Sequence, residues 1–369
     1  MDKSKNKTKL VLLHFAGYGY FFMLIFGILG LFGITLYLIL NFNRLGFRIL
    51  DKLLPIALVL IGLIRGFFAA LSAKIPAPEG IEISKEEFPE FYKMLEEIRV
   101  KINCPRIHHV KFDLSFNASA AEIPMYGLFG VFRRYLVIGI PLMLALSKDE
   151  LRAVIGHELG HLSKSHSKMS VKALRAENVW RKTYEELIKS GKDKNLFFKS
   201  FLIRYIPALN NALLSLRREN EYIADKAAEI VTDSATVAKT LVKIPLYDSY
   251  MDGVFWNRIN ALARVEEAPP KNLFQVMEKF FDEPLPEELS KQILDQILKV
   301  QSLPCWTHPS TSERLENIGA NYELPKHRRV SALRDILGDK ADIVLSKAND
   351  IWVSDVNETW SKIYNSCEE

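Results

Sequence analysis

From Leu10 to Phe42 the chain carries no Asp, Glu, Lys or Arg, and a second apolar stretch, Leu53 to Ala73, is interrupted only by Arg65. A helix needs about 20 apolar residues to cross about 30 Å of hydrocarbon. The first stretch exceeds that, so its helix must tilt, protrude or break. Arg65 lies near enough to one end of the second stretch for its side chain to reach the headgroups. Two transmembrane segments, 10–41 and 53–73, are therefore expected. A cleaved signal peptide is the competing reading, because Lys3, Lys5, Lys7 and Lys9 resemble its charged start. Its apolar region would span only about 7–15 residues, with no second span after it.

Beyond Ala73 the pattern changes. Lys74-Ile-Pro-Ala-Pro-Glu-Gly80 reads as a linker by its prolines and glycine. Ser84-Lys-Glu-Glu87 then has the form of a capping box, and Phe88, Phe91, Tyr92, Leu95 and Ile98 recur at helical spacing up to Pro105. Val110 to Asn117 alternates apolar and polar residues, which predicts a half-buried strand, and Tyr135 to Ile140 predicts a second. From Ser147 onward the pattern is mostly helical. The expected fold is mainly α with a small β-sheet, an α+β peptidase-like domain behind N-terminal transmembrane helices. The expected division is 1–80 for the anchor and linker, 81–320 for the domain and 321–369 for a C-terminal helical extension. In that extension Ile351, Trp352 and Val356 imply packing only, and the scattered tryptophans are read as core or interface residues.

The second capping box, Ser147-Lys-Asp-Glu150, opens the segment that carries His157-Glu158-Leu159-Gly160-His161. Histidines four apart stand one above the other on a helix, so both imidazoles can reach one zinc ion. Glu158, one step round, can take a proton from water beside the metal. A catalytic site needs a third protein ligand and keeps one open position. His166 is near in sequence but points off that face. Lys164 and Ser167 stand where a metzincin would have Gly and His. Glu221 and Asp225, four apart further along, supply a pair of carboxylates on one helix face. One can bind the metal while the other supports a ligand histidine from behind.

Composition bounds these readings. Hydrophobic residues make up 49% of the 369 and charged residues 25%, which excludes a disordered chain. The three cysteines, Cys104, Cys305 and Cys367, are too few and too scattered for a disulfide scaffold. A net charge of +5 does not indicate a nucleic-acid partner. The mean hydropathy of +0.02 averages an apolar front over an ordinary remainder. The lysines before the first span, with Lys74, favour a cytoplasmic domain, although Arg44, Arg48 and Lys52 between the spans pull the other way.

His-Glu-Leu-Gly-His followed by Arg218-Glu-Asn-Glu221-Tyr-Ile-Ala224-Asp225 resembles the membrane-anchored zinc metallopeptidases related to HtpX and the CAAX prenyl endopeptidases, of gluzincin type. Thr307-His308-Pro309-Ser310, with Arg314 six residues after the histidine, is similar to the family's His-Pro segment, and Asn117-Ala118 to its Asn-Ala pair. The resemblance covers about residues 85–318. It implies a membrane-bound, zinc-dependent endopeptidase acting on membrane or misfolded proteins, with one Zn2+ per chain. Glu221 would be the third ligand and Asp225 would support a ligand from behind. His308 would lie near the developing oxyanion, and Arg314 would pair with the Glu221 region. Asn117 would sit on a polar edge-strand face where an extended peptide substrate adds as another strand. The expected partners are such a substrate and the lipid bilayer, with no nucleic acid. Two departures stand out. A longer segment, Glu122 to Arg134, precedes Tyr135 where HtpX-like members continue into a short strand. Leu196 to Leu216, with Lys199 and Arg204, reads as a buried or interfacial helix pair where better-known members have extra spans. The alternative function is a non-proteolytic zinc-containing membrane adaptor or chaperone, but a closed structural site would need a fourth ligand and no cysteine lies near either motif.

Overall fold

The computed structural model describes residues 3–41, 44, 46–72, 75–126, 129–163, 168–189, 196–303, 305–322 and 330–366. Lys74, Lys164, His166, Ser167 and Cys367 lie outside the described residues. Two compact units are formed, one from residues 1–77, 122–133 and 167–216 and the other from 78–121, 134–166 and 217–369. This division differs from the expected 1–80, 81–320 and 321–369.

The first unit begins with α1 (Lys3–Leu40) and, after a short 3-10 turn, α2 (Leu50–Ser72). Among the described residues one helix, 15–40, is long and apolar enough to cross a membrane. The second expected span falls on α2, some of whose side chains lie outside the described residues. The unit also holds α6 (Lys168–Lys189) and the first half of α7 (Leu196–Val231). The expected helix pair over Leu196–Leu216 is instead one helix that runs on through Glu221. Pro207, its only strong breaker, removes one N–H from the ladder without ending it. Aromatic rings fill this core: Trp180 lies 5.8 Å from Phe201 and 5.7 Å from Tyr205, centroid to centroid. Gly17 lets α1 approach this cluster, and the Tyr205 hydroxyl donates to the Leu13 carbonyl at 3.0 Å.

The second unit contains β1 (Ile81–Ile83), α3 (Pro89–Lys101), β2 (His109–Asp113) and the ends of a strand pair, β3 (Ala118–Tyr126) and β4 (Phe129–Gly139). Helices α4 (Ile140–Ala145), α5 (Lys148–Leu162) and α8 (Ser234–Tyr250) follow, with the second half of α7 between the last two. Then come α9 (Asn257–Leu262), α10 (Leu273–Asp282), α11 (Glu287–Lys299), α12 (Thr311–Ile318), α13 (Ala332–Leu337) and α14 (Ala341–Asn365). The sheet order is β1-β2-β4-β3, with β1 antiparallel and β4 parallel to β2. Val110 and Phe112 of β2, Leu136 and Ile138 of β4, and Phe91 and Ile98 of α3 form one buried cluster. Ala332, Val344, Trp352 and Trp360 join the same cluster, so residues 330–366 share the core of this unit.

Several boundaries differ from expectation for local reasons. The strand expected over Val110–Asn117 ends at Asp113, whose carboxylate accepts the Ser115 N–H and turns the chain. The Glu122–Arg134 segment is not an interruption, because most of it extends β3 and β4. Ile140 leaves the second expected strand to open α4. The Ser84 hydroxyl does accept the Glu87 N–H, but it closes a turn, and the helix starts at Pro89, whose fixed φ suits the first helical position.

Candidate metal centre

Helix α5 starts as expected. Ser147 accepts the Glu150 N–H, and the Glu150 carboxylate accepts the Ser147 N–H, at 3.4 and 2.8 Å. The same carboxylate accepts a 2.8 Å bond from Lys243 of α8, and both side chains are almost fully buried. Along the next turns α5 presents Gly156 and Gly160 to α7. A Cβ at Gly160 would stand 3.0 Å from the Ala224 Cα and 2.9 Å from the Ala227 Cβ. One at Gly156 would stand 3.2 Å from the Ala228 Cα. Glycines facing alanines bring the two backbones close, and that closeness lets Glu221 reach the histidines.

His157, His161 and Glu221 converge, with one ligand atom from each lying within 4.8 Å of the others. Nε2 of His157 is 3.6 Å from one Glu221 oxygen, and Nε2 of His161 is 3.7 Å from the other. Ligands about 2.0–2.1 Å from a tetrahedral zinc stand about 3.3 Å apart, so this donor set fits that ion with small adjustments. No cysteine stands among the three.

Each histidine has a partner on its far side. Nδ1 of His157 bonds the Asp225 carboxylate at 2.9 Å, and the Arg314 Nε donates to the other Asp225 oxygen at 2.9 Å. Burial would raise the Asp225 pKa, but the hydrogen bonds from Arg314 and His157 outweigh it and hold the group at about 2. Arg314 therefore pairs with Asp225, one turn beyond Glu221. On the other ligand, the Asn220 amide lies 3.3 Å from Nδ1 of His161.

Glu158 is displaced from the metal ligands toward the sheet. Its carboxylate accepts the Ala120 N–H of β3 at 3.1 Å, and burial pushes its pKa above the ordinary glutamate value. Because β3 is an edge of the sheet, one flank of that strand remains for another strand to pair with. Asn117 does not lie on a strand face. It precedes β3, its side-chain oxygen accepts the N–H of Ala118, and its carbonyl accepts the N–H of Gly139. Gly139 is required there, since a Cβ would run into the Ser115 carbonyl.

His308 arrives on the loop before α12. Its Nδ1 lies 2.9 Å from the Glu221 carboxylate, and its side chain is 69% exposed. That bond raises the His308 pKa. Arg218 of α7 anchors the loop by donating to the carbonyls of Leu303 and Trp306, at 2.5 and 3.3 Å. The Ser310–Glu313 capping box starts α12 and so sets Arg314. Sequence reasoning matched Arg218 to a motif without giving it a partner, and it missed Ala120 and Asn220. It also missed a cavity of about 300 Å3 beside His157 and Glu158, walled mainly by Leu142, Val154, Val237, Leu241 and Ile244.

The sequence model of peptidase family M48 matches residues 93–321, more than half of the chain. The chain belongs to this family. The M48 family consists of zinc metallopeptidases, and the match includes both histidines, Glu158, Glu221, Asp225, His308 and Arg314. The chain is also similar to a protein named protease HtpX homolog 2 from Sulfurisphaera tokodaii, at 34% identity over 73 residues. That match covers 19% of this chain and spans about a fifth, 20%, of the relative's length. No solved structure matches.

Proposed function

We propose that the protein is a membrane-bound zinc endopeptidase. The convergence of His157, His161 and Glu221, with the Glu158 carboxylate beside them, carries this reading. These three residues would hold one Zn2+, which when bound polarises a peptide carbonyl and acidifies water. Glu158 takes the proton from the attacking water and passes it to the leaving amine. Its raised proton affinity suits both transfers. The Ala120 N–H holds that carboxylate in place. Asp225, fixed by Arg314, keeps Nδ1 of His157 protonated and so aims Nε2 at the metal position. His308 stands where it can donate to a developing oxyanion once it turns from Glu221.

The substrate runs in extended form along the free flank of β3, with Asn117 at its end. The cavity beside Glu158 takes an apolar side chain next to the scissile bond. Helix 15–40 supports anchoring in the bilayer, with α2 as a second span. The N-terminal lysines favour a domain on the cytoplasmic side.

Glu158→Gln is the direct test, with the full chain purified in detergent. The variant should keep one zinc per chain and lose cleavage of an unfolded protein such as casein by at least about a thousandfold, the upper part of what a positioned base and its charge contribute. Cleavage surviving in that variant would overturn the mechanism. Bound zinc without cleavage in the parent chain would instead favour the adaptor or chaperone.

A further inference from the structure

The two candidate ligand histidines, His157 and His161, are supported unequally. His157 has Asp225 and, behind it, Arg314, whose guanidinium also lies 3.3 Å from Nδ1. Nε2 of His161 faces the Glu221 carboxylate, so that nitrogen must be free to take a metal and the ring proton belongs on Nδ1. The Asn220 side chain lies beside that Nδ1, with its NH2 end 3.3 Å away. Two donors facing each other gain nothing. The Asn220 oxygen, meanwhile, is buried and accepts from no donor among the described residues. The oxygen and nitrogen of an amide have nearly the same shape, so their placement follows from hydrogen-bonding partners. A half-turn of the amide puts an acceptor where the His161 N–H points.

We propose that Asn220 is a positioning residue, whose amide oxygen accepts the Nδ1–H of His161 and holds Nε2 toward the metal. This inference rests on the zinc reading above and adds to it. Asn220, Glu221 and Asp225 would then form one local device on α7. The middle residue would bind the metal, and its neighbours would fix the two rings, one through a neutral amide and one through a carboxylate. The consequence is an asymmetry. The neutral partner leaves the net charge of the site unchanged, whereas Asp225 needs Arg314 to balance it.

The test uses the full chain in detergent and compares Asn220→Leu, which keeps the volume and removes the acceptor, with Asn220→Asp, which keeps the acceptor. Zinc affinity is measured by competition with a chromophoric chelator, and the melting temperature of the metal-free protein is measured in parallel. Asn220→Leu should bind zinc about 10–100-fold more weakly, the usual effect of removing such a partner. Its metal-free melting temperature should stay at the parent value, and Asn220→Asp should restore the affinity. Parent-like zinc affinity in Asn220→Leu would overturn the inference, as would Asn220→Asp binding as weakly as the leucine variant. A parent chain that binds no zinc, with His157→Ala making no difference, would sink the zinc reading itself.

Discussion

The two halves of α7 pack by opposite rules. Over Leu196–Leu216 its inward positions are large: Phe201, Leu202, Tyr205, Leu209 and Leu213 mesh with Trp180 and its neighbours. Over Arg217–Val231 the positions facing Gly156 and Gly160 of α5 are Ala224, Ala227 and Ala228, with Val231 closing the contact at Gly156. Large, adaptable side chains bury much apolar surface, and repacking lets them absorb small errors of position. Small residues bury little but fix the distance between backbones. The second rule appears where an interatomic distance decides function, because a shift of an ångström at Ala224 is a shift of an ångström at Glu221.

The largest effect should come from loosening α5 at its start. Lys243→Met removes the closer and buried partner of the Glu150 carboxylate, leaving the half-exposed Lys239 at 3.3 Å, and should destabilise the second unit by up to about 3–5 kcal/mol. The double variant Glu150→Gln with Lys243→Met should recover most of that loss in urea unfolding. The pair also sets a pH dependence. Burial opposes ionisation of Glu150, but Lys243 and the Ser147 N–H outweigh it and hold its pKa below the ordinary value. As pH falls, the unfolded chain therefore takes up the proton first. The contribution of Glu150 is complete above the ordinary glutamate range and is lost as pH drops through and below it. Glu150→Gln should flatten that part of the stability profile, and an unchanged profile would remove the pair from the account.

Gly160→Leu tests the close contact itself. The added side chain meets backbone at Ala224, so the helices must part, at about 1–3 kcal/mol. Because Glu221 moves with α7, zinc affinity should fall too. Melting without a change in affinity would show that the spacing does not govern the ligands.

Much of this centre was legible because its geometry is local. His157, Glu158 and His161 fall into place through helix periodicity alone, and the Ser147 capping box fixes where that periodicity starts. Glu221 and Asp225 are likewise a one-turn pair. The sequence did not reveal which non-local groups meet them. Asn220 reaches His161, and the Ala120 N–H reaches Glu158, only through tertiary packing that no spacing encodes. Alternation misplaced the end of β2 because it continues past Asp113 into a side-chain-capped turn. The resemblance misled at α7, since the segment standing where better-known members have extra spans was read as a helix pair and is one helix.

The cavity beside Glu158 gives a smaller effect, in specificity. Ile244→Trp should fill much of the 300 Å3. It should lower kcat/KM for peptides with a large apolar residue at the scissile bond about tenfold relative to those with alanine, close to 1.4 kcal/mol. An unchanged ratio with cleavage intact would place the specificity pocket elsewhere, without touching the zinc mechanism.

The smallest effect should come from the other half of α7. Leu209 and Leu213 are fully buried there, yet exchanging a leucine for methionine keeps its volume and usually costs less than about 1.5 kcal/mol. Leu213→Met should therefore lower the melting temperature slightly and leave zinc affinity at the parent value. Gly160→Leu adds side-chain volume on α5 against the site end of α7, where it meets backbone. Leu213→Met changes side-chain shape at the aromatic end, where the surrounding rings can absorb it. If the methionine exchange weakened zinc binding as much as Gly160→Leu, the aromatic core would be setting the position of Glu221, and the glycine–alanine contact would no longer explain how the ligands meet.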